Sequence, residues 1–222
     1  MFQIGINRIE LPSDAEISGW HREFAVSRCV HFPGFFEGRL LAWLRARLAD
    51  ARFQERVHAE LVPPATDLGL ADEPLLAMIR TIVSDHRLFA AVRAISGCDS
   101  IGCFDGIVYR MDPRPEHFDT WHSDMDGNRM VTLSVNLGDP YDGGVLQIRE
   151  RPSDRIVHEV ANTGPGDAIL FALGDCLEHR VGAVTGTATK MALAGWFQRT
   201  PPALEALRIA SAGAGGGYQG KR

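Results

Sequence analysis

The chain has 222 residues, of which 45% are hydrophobic and 23% are charged, as in an ordinary globular protein. Its 28 acidic and 23 basic residues give a net charge of -5, so no basic field would attract a phosphate backbone. No apolar run approaches the roughly 20 residues of a membrane span, and the N-terminus lacks the regions of a signal peptide. We therefore expect a cytoplasmic protein with reduced cysteines that binds neither nucleic acid nor membrane.

The first helical pattern follows a short alternating stretch over 2–11 and an apolar turn around Pro33 and Gly34. Apolar residues then recur on one helical face, and arginines lie mostly elsewhere. The apolar positions are Leu40, Leu41, Leu44 and Leu48. This pattern predicts an amphipathic helix over 37–56.

A second helical stripe begins after a loop that contains two prolines. Asp72 offers an N-cap ahead of Pro74, and the stripe ends by Gly97, with a break near His86. We expect residues 1–100 to form an N-terminal segment in which two helices brace the rest of the chain.

The residue pattern changes after Ser100, where short segments rich in β-branched and aromatic residues alternate with turn residues. This pattern predicts a mainly β barrel or sandwich over 101–200, with the helices packed on its outside as parts of one compact domain. The predicted strands are 101–111, 118–122, 130–137, 145–150, 156–160, 167–172, 179–184 and 190–198. After the barrel, the sequence of 201–222 predicts a short helix over 203–210 and then a disordered tail. Five of the last twelve residues are glycine.

A polar cluster at 117–124 contains the pair most suited to a metal. His122 and Asp124 are two residues apart, and on a strand such residues share a face and can grip one ion. His179 opens a later predicted strand and offers a third ligand. Two imidazoles and one carboxylate leave three coordination positions open, which suits non-haem Fe(II). The spacing alone also fits hydrogen-bonded or surface residues.

The remaining histidines lack patterned acidic or cysteine neighbours in the sequence. We interpret them as structural or solvent-facing residues. They are His21, His31, His58, His86, His117 and His158.

The run from Tyr109 to Phe197 resembles the double-stranded β-helix core, a jelly-roll and cupin-like barrel, of the Fe(II)- and 2-oxoglutarate-dependent oxygenases. It resembles most closely their prolyl 4-hydroxylase-like branch. Tyr109 comes first, and the other matching pieces follow in the family's order over roughly 90 residues. They are HSD at 122–124, VTLSVNLGDPYDGGVLQIRE at 131–150, GDAILF at 166–171, HRVGAV at 179–184 and KMALAGWF at 190–197.

The resemblance implies that His122, Asp124 and His179 bind Fe(II) and that Lys190 binds the C5 carboxylate of 2-oxoglutarate. A buried cation is costly unless an anion binds it, so a carboxylate ligand for Lys190 is chemically reasonable. A structural salt bridge is the alternative for Lys190. The family resemblance also implies that Tyr109 helps to hold the cosubstrate.

Three further positions bear on the cosubstrate pocket. Trp196 shares a strand face with Lys190, so we expect it to be a pocket wall, although an ordinary core tryptophan would also fit. The chain departs from the branch at Leu133, where a second tyrosine is usual, and at Ala192, which gives no hydroxyl beside Lys190.

The implied activity is hydroxylation of an unactivated C–H bond with conversion of 2-oxoglutarate and O2 into succinate and CO2, and the resemblance allows ascorbate as a further cofactor. An amino-acid side chain, free or in a peptide, is the favoured substrate, and Trp121, Arg129 and Arg149 are candidates to face it. The alternative is a metal-holding cupin-like barrel that binds or senses a ligand, or a zinc hydrolase. A nucleic-acid demethylase is disfavoured by the acidic charge. The sequence leaves the oligomeric state open.

Overall fold

A computed structural model describes residues 1–59, 61–161, 163–201 and 204. Four helices precede the main run of strands: α1 (Asp14–Ser27), α2 (Gly38–Ala49), α3 (Glu73–Val83) and α4 (His86–Ser96). Among all the residues that the structure describes, no helix combines the length and the apolar character needed to cross a membrane.

Local signals at the helix ends explain where α3 and α4 begin and stop. The Asp72 side chain caps α3 by accepting a hydrogen bond from the Leu75 amide. The Asp85 side chain caps α4 by accepting one from the Arg87 amide. Gly97 ends α4 with a positive φ of 75°, a conformation that glycine adopts at little cost. The cap, the break near His86 and the end at Gly97 that the sequence predicts are confirmed.

The strands form one large and three small antiparallel sheets. The large sheet has the order β3-β11-β7-β14-β6-β5-β4, and a smaller sheet has the order β10-β9-β12. Two strand pairs, β1 with β2 and β8 with β13, complete the set. The strands are β1 (Gln3–Ile4), β2 (Ile9–Glu10), β3 (Cys29–Phe32), β4 (Phe53–His58), β5 (Ala65–Leu70), β6 (Cys103–Met111), β7 (Arg129–Asn136), β8 (Asp142–Gly143), β9 (Leu146–Glu150), β10 (Arg155–Val160), β11 (Ala168–Ala172), β12 (Leu177–Val181), β13 (Val184–Thr185) and β14 (Lys190–Gln198).

Each strand of the large sheet except β3 divides its side chains between a helical core and an internal cavity. Along β14, Leu193 and Phe197 are buried in the same cluster as the apolar faces of the helices. Lys190, Ala192 and Trp196 lie on the other face and line the cavity. The period of two along a strand produces this division. The mainly β fold with flanking helices is confirmed.

The structure corrects several predicted elements. The N-terminal part has four helices rather than two, since α1 gave no recognised pattern, and α2 ends at Ala49 because 53–58 form β4 instead. The predicted strand 118–122 is absent from the described residues except for an isolated bridge at His122. The predicted helix 203–210 and the tail fall outside the described residues, apart from Leu204.

Candidate functional site

A cavity of roughly 320 Å³ lies between the large and the smaller sheet. Its walls come from the inward faces of β5, β6, β7, β11, β12 and β14, together with the loop that joins β6 to β7. His122, Asp124, His179 and Lys190, all predicted as site residues, line this one cavity.

His122 and His179 are held side by side by the backbone. The two residues exchange both amide hydrogen bonds, at 3.1 and 3.0 Å, and so form an isolated antiparallel bridge. Directly opposed residues project to the same face of a bridge. Their rings lie 4.3 Å apart between centroids. This contact fixes the pair although the residues are far apart in the chain.

Asp124 completes the group. Its Oδ1 lies 3.6 Å from Nε2 of His122 and its Oδ2 lies 3.3 Å from Nε2 of His179. One ligand atom from each residue falls within 4.8 Å of the others. Two imidazole nitrogens and one carboxylate oxygen converging from one side fit Fe(II), with positions left for further ligands.

Neighbouring groups orient these side chains. Nδ1 of His122 lies 2.8 Å from the carbonyl of Thr120, so a proton there donates to that carbonyl and leaves Nε2 free to face an ion. Burial tends to raise the pKa of Asp124, but hydrogen bonding and charge from His179, followed by His122 and the indole of Trp196, hold this pKa at about 2. Asp124 is therefore a carboxylate throughout the ordinary pH range.

Lys190 enters the cavity as a buried ammonium group. The residue is 6% exposed, and Nζ donates to the carbonyl of Gly144 at 3.0 Å. No carboxylate among the described residues lies within 4.0 Å of Nζ, so the alternative of a structural salt bridge finds no partner there. Burial lowers the pKa of Lys190 to about 8, although Asp119 opposes the shift. A buried cation of this kind suits an anionic ligand.

Two tyrosines flank Lys190. Nζ lies 5.9 Å from the ring centre of Tyr109 and 5.5 Å from that of Tyr141. Both tyrosines line the cavity, and burial raises the pKa of each. Sequence reasoning missed Tyr141, although it lies three residues before Gly144 in the quoted motif.

The chain departs from the family branch at Leu133 and Ala192, and only the second of these positions lines the cavity. Leu133 points into the helical core, so a tyrosine there would not reach this cavity, and its neighbour Thr132 faces inward instead. Oγ1 of Thr132 is buried without a hydrogen-bond partner. Ala192 does line the cavity and offers no polar group.

The hairpin of β4 and β5 adds a charged wall that the sequence did not reveal. Nε and Nη2 of Arg56 donate to Asp67 at 2.7 and 2.5 Å, and Nε2 of His58 lies 3.4 Å from the same carboxylate. All three line the cavity, as does Asp119. The contact with Asp67 is compatible with the interpretation of His58 as a structural residue, but the residue also lines the cavity. The sequence held a signal for this wall, because Arg56 and His58 occupy alternate positions of a strand and so share one of its faces.

His117 matches its structural interpretation. It is 1% exposed, and its Nδ1 accepts the amide of Asp112 at 2.9 Å.

The three substrate candidates separate in space. Arg129 lines the cavity and stacks on Trp196, with Cζ 3.7 Å from the ring centre. Trp121 and Arg149 are not among the lining residues. Arg149 alternates with the inward Ile148 on β9, so it lies on the outer face of the smaller sheet, 4.4 Å from Trp121. Trp121 and Arg149 therefore lie outside the cavity lining, and their contact with a substrate stays a prediction.

The fold and the three-residue group define a β barrel with a candidate metal site. Residues 107–198 match the family model of the 2OG-Fe(II) oxygenase superfamily. This barrel segment matches that superfamily, and the resemblance found in the sequence is confirmed. Members use Fe(II), 2-oxoglutarate and O2, and His122, Asp124 and His179 form the candidate iron site. No curated protein matched the chain.

Solved structures share the architecture at low identity. A 2OG-Fe(II) oxygenase family oxidoreductase from Burkholderia pseudomallei has 14% identity and a TM-score of 0.66, over 90% of this chain and 97% of that one. A Pseudomonas putida prolyl-4-hydroxylase has 19% identity and a TM-score of 0.57, over 87% and 96%. A Trichoplax adhaerens prolyl hydroxylase, solved with a hypoxia inducible factor peptide fragment, has 13% identity and a TM-score of 0.58, over 85% and 94%. The shared fold is the jelly-roll core predicted from the sequence.

Proposed function

We propose that the protein is an Fe(II)- and 2-oxoglutarate-dependent dioxygenase that hydroxylates an unactivated C–H bond of an amino-acid side chain, free or within a peptide. The observation that carries this proposal is the ammonium group of Lys190, which is buried in the same cavity as the candidate metal triad and has no carboxylate of the described residues within 4.0 Å. A dicarboxylate that chelates the ion at one end and meets Lys190 at the other would satisfy both groups.

The residues would divide the work between them. His122, Asp124 and His179 would hold the ion. Lys190, supported by Gly144, and Tyr109 would hold the far carboxylate of 2-oxoglutarate. Bound there, Fe(II) and 2-oxoglutarate supply the oxidising chemistry of the superfamily, with succinate and CO2 as coproducts. The apolar lining from β11 and β14 limits water near the ion, which protects a reactive centre from wasted turnover.

The size of the cavity supports a small reacting group. Ligand pockets are commonly about 300 to 1,000 Å³, and this cavity of roughly 320 Å³ must also hold the cosubstrate. A single side chain or a small molecule would fill the remainder. The peptide fragment bound by the Trichoplax adhaerens prolyl hydroxylase is one precedent in this fold. Asp124 keeps the carboxylate at the ion, which favours hydroxylation over halogenation.

The test is an anaerobic titration of metal-free protein with Fe(II) and 2-oxoglutarate, monitored by the visible charge-transfer band of the chelate. We expect a saturable band that Asp124→Ala abolishes and Lys190→Ala weakens. Arg180→Ala, which removes a cation from the outer face of β12, is the matched control and should behave as the unaltered protein. Bound iron without a band would instead favour a metal-holding barrel that does not use 2-oxoglutarate.

A further inference from the structure

Asp119 is a carboxylate in the cavity for which the proposed function has no role. It lies in the loop between β6 and β7, and its amide donates to the carbonyl of Val181 at 2.8 Å, which ties the residue to β12. Its side chain is 28% exposed, and it lines the cavity with the triad. Partial burial of a carboxylate is costly unless a cation or hydrogen bonds compensate it.

No arginine or lysine of the described residues lies within 4.0 Å of this carboxylate. Its nearest ion-pair candidate is Nδ1 of His122, at 3.4 Å. That nitrogen has a closer acceptor, the carbonyl of Thr120 at 2.8 Å. An imidazole that binds a metal through Nε2 is neutral, so it offers Asp119 no full positive charge.

The other cations of the cavity are engaged elsewhere. Arg56 is paired with Asp67, and Arg129 contacts Asp124 and Asp126. In the proposed complex, Lys190 meets the far carboxylate of 2-oxoglutarate. Among the cavity carboxylates of the described residues, Asp67 and Asp124 each have an arginine within 4.0 Å, and Asp119 has none.

From this lack of a cationic partner we infer that Asp119 recognises an ammonium group of the primary substrate, a step that rests on the proposed function. The imidazole of His122 lies between Asp119 and the ion position, so a substrate ammonium on Asp119 would hold carbons a few bonds away beside the ion. This geometry selects a small primary or secondary amine, such as a free amino acid. It disfavours an uncharged segment from the interior of a peptide.

The first test measures charge selectivity with three simple probes of similar size: n-butylammonium, 1-butanol and butyrate. Each is titrated calorimetrically into the anaerobic Fe(II) and 2-oxoglutarate complex at neutral pH. We expect n-butylammonium to bind at least tenfold more tightly than the other two. Asp119→Asn should remove this preference, because the amide keeps the shape and loses the charge. Glu116→Gln, which removes a charge from the exposed part of the same loop, should retain it.

Equal binding of the three probes, no binding of any of them, or a preference that survives in Asp119→Asn would overturn the inference. The charge-transfer band separates this failure from that of the proposed function. A band in the unaltered protein together with no ammonium preference refutes the role of Asp119 alone, whereas absence of the band refutes the oxygenase proposal as well. Loss of the band in Asp119→Asn would instead make Asp119 a positioning residue for His122 and overturn its assignment to the substrate.

A turnover measurement gives a second check. Succinate release is compared for free amino acids and for the same compounds acetylated on the α-amine. We expect stimulation by at least one free amino acid and a decrease of at least tenfold on acetylation, with Asp119→Asn raising KM more than it lowers kcat. Equal stimulation by the acetylated compounds would contradict the inference.

Discussion

The indole nitrogen of Trp196 donates a hydrogen bond of 2.9 Å to Oδ2 of Asp124. Arg129 stacks on the same indole and lies 3.4 Å from Oδ1, so each carboxylate oxygen has its own donor. The sequence suggested Trp196 only as a wall of the cosubstrate pocket. Its contact with Asp124 gives it a second task, the orientation of a metal ligand.

Replacing Trp196 by phenylalanine should therefore weaken metal binding. The ring is retained and the donor is lost, and removal of such an outer partner typically costs about tenfold or more in metal affinity. Competition titrations with Fe(II) or Co(II) measure the change. Trp43→Phe alters a tryptophan on α2 that stacks on Arg47 instead, and it is the control. Unchanged affinity in Trp196→Phe would show that the indole does not orient Asp124.

Binding of 2-oxoglutarate should depend on pH through Lys190. Burial lowers the pKa of this lysine to about 8, so the ammonium that attracts the carboxylate is present below that pH and is lost above it. The Kd for 2-oxoglutarate should therefore rise with pH above about 8, approaching tenfold per pH unit. Calorimetry across pH 6.5 to 9.5 checks this expectation.

Variants at position 190 identify the titrating group. Lys190→Met should lose the pH dependence and weaken binding about tenfold to a hundredfold, since a charge-assisted hydrogen bond contributes roughly 1.5 to 3 kcal/mol. Lys190→Arg keeps its charge at these pH values and should show a flat profile. A profile that persists in Lys190→Met would assign the pH effect to another group.

Gly144→Ala should impair the cosubstrate site and the fold together. Gly144 has a φ of +56°, and an added Cβ would lie 2.9 Å from Cε2 of Tyr141 and 3.2 Å from Cδ of Lys190. The left-handed backbone alone costs roughly 1 to 2 kcal/mol. Gly97→Ala carries the same kind of backbone strain at the end of α4, with its nearest contact at 3.7 Å.

Both glycine variants should lose stability in denaturant unfolding. Only Gly144→Ala should also raise the Kd for 2-oxoglutarate, because only its new methyl group disturbs Lys190. If both variants bind the cosubstrate equally well, the added methyl group at 144 does not disturb Lys190.

Arg129 and Arg149 should differ in their effects on turnover. Arg129→Ala removes the stack on Trp196 and the contact with Asp124, so succinate release should fall about tenfold or more. Arg149→Ala removes ion pairs with Glu178 and Asp154 on the outer face of the smaller sheet, away from the cavity. Its turnover should be close to that of the unaltered protein. Equal losses would mean that the outer face contacts the substrate after all.

Phe197 should be critical for stability, because it joins the helices to the large sheet. It is fully buried, with ring centroids 5.9 Å from Phe89 on α4 and 5.2 Å from Phe104 on β6. Phe197→Ala should lower the free energy of unfolding by about 3 to 5 kcal/mol, as measured in denaturant. Val62→Ala, at an 88% exposed position, should change it little.

Local patterns in the sequence predicted the elements whose signals lie within a few residues. The caps at Asp72 and Gly97 and the leucine stripe of α2 are of this kind, and so are most strands of the barrel. Helix α1 was missed although local signals were present, since Ser13 and Glu16 form a capping box and Ile17, Trp20 and Phe24 follow helical spacing on the face that meets the core. The end of α2 was misplaced because sheet pairing of β4 with β5 overrides the helix propensity of 50–56.

The sequence by itself determined the ligand types and the close pair, His122 and Asp124, because their spacing is local. Only the tertiary structure decided which distant groups join them. The bridge to His179, the donor from Trp196 and the charged hairpin wall all depend on strand register. A sequence shows that side chains alternate along a strand, but pairing between strands distant in the chain decides which alternate face meets the cavity. Leu133 points into the helical core and Thr132 into the cavity for that reason.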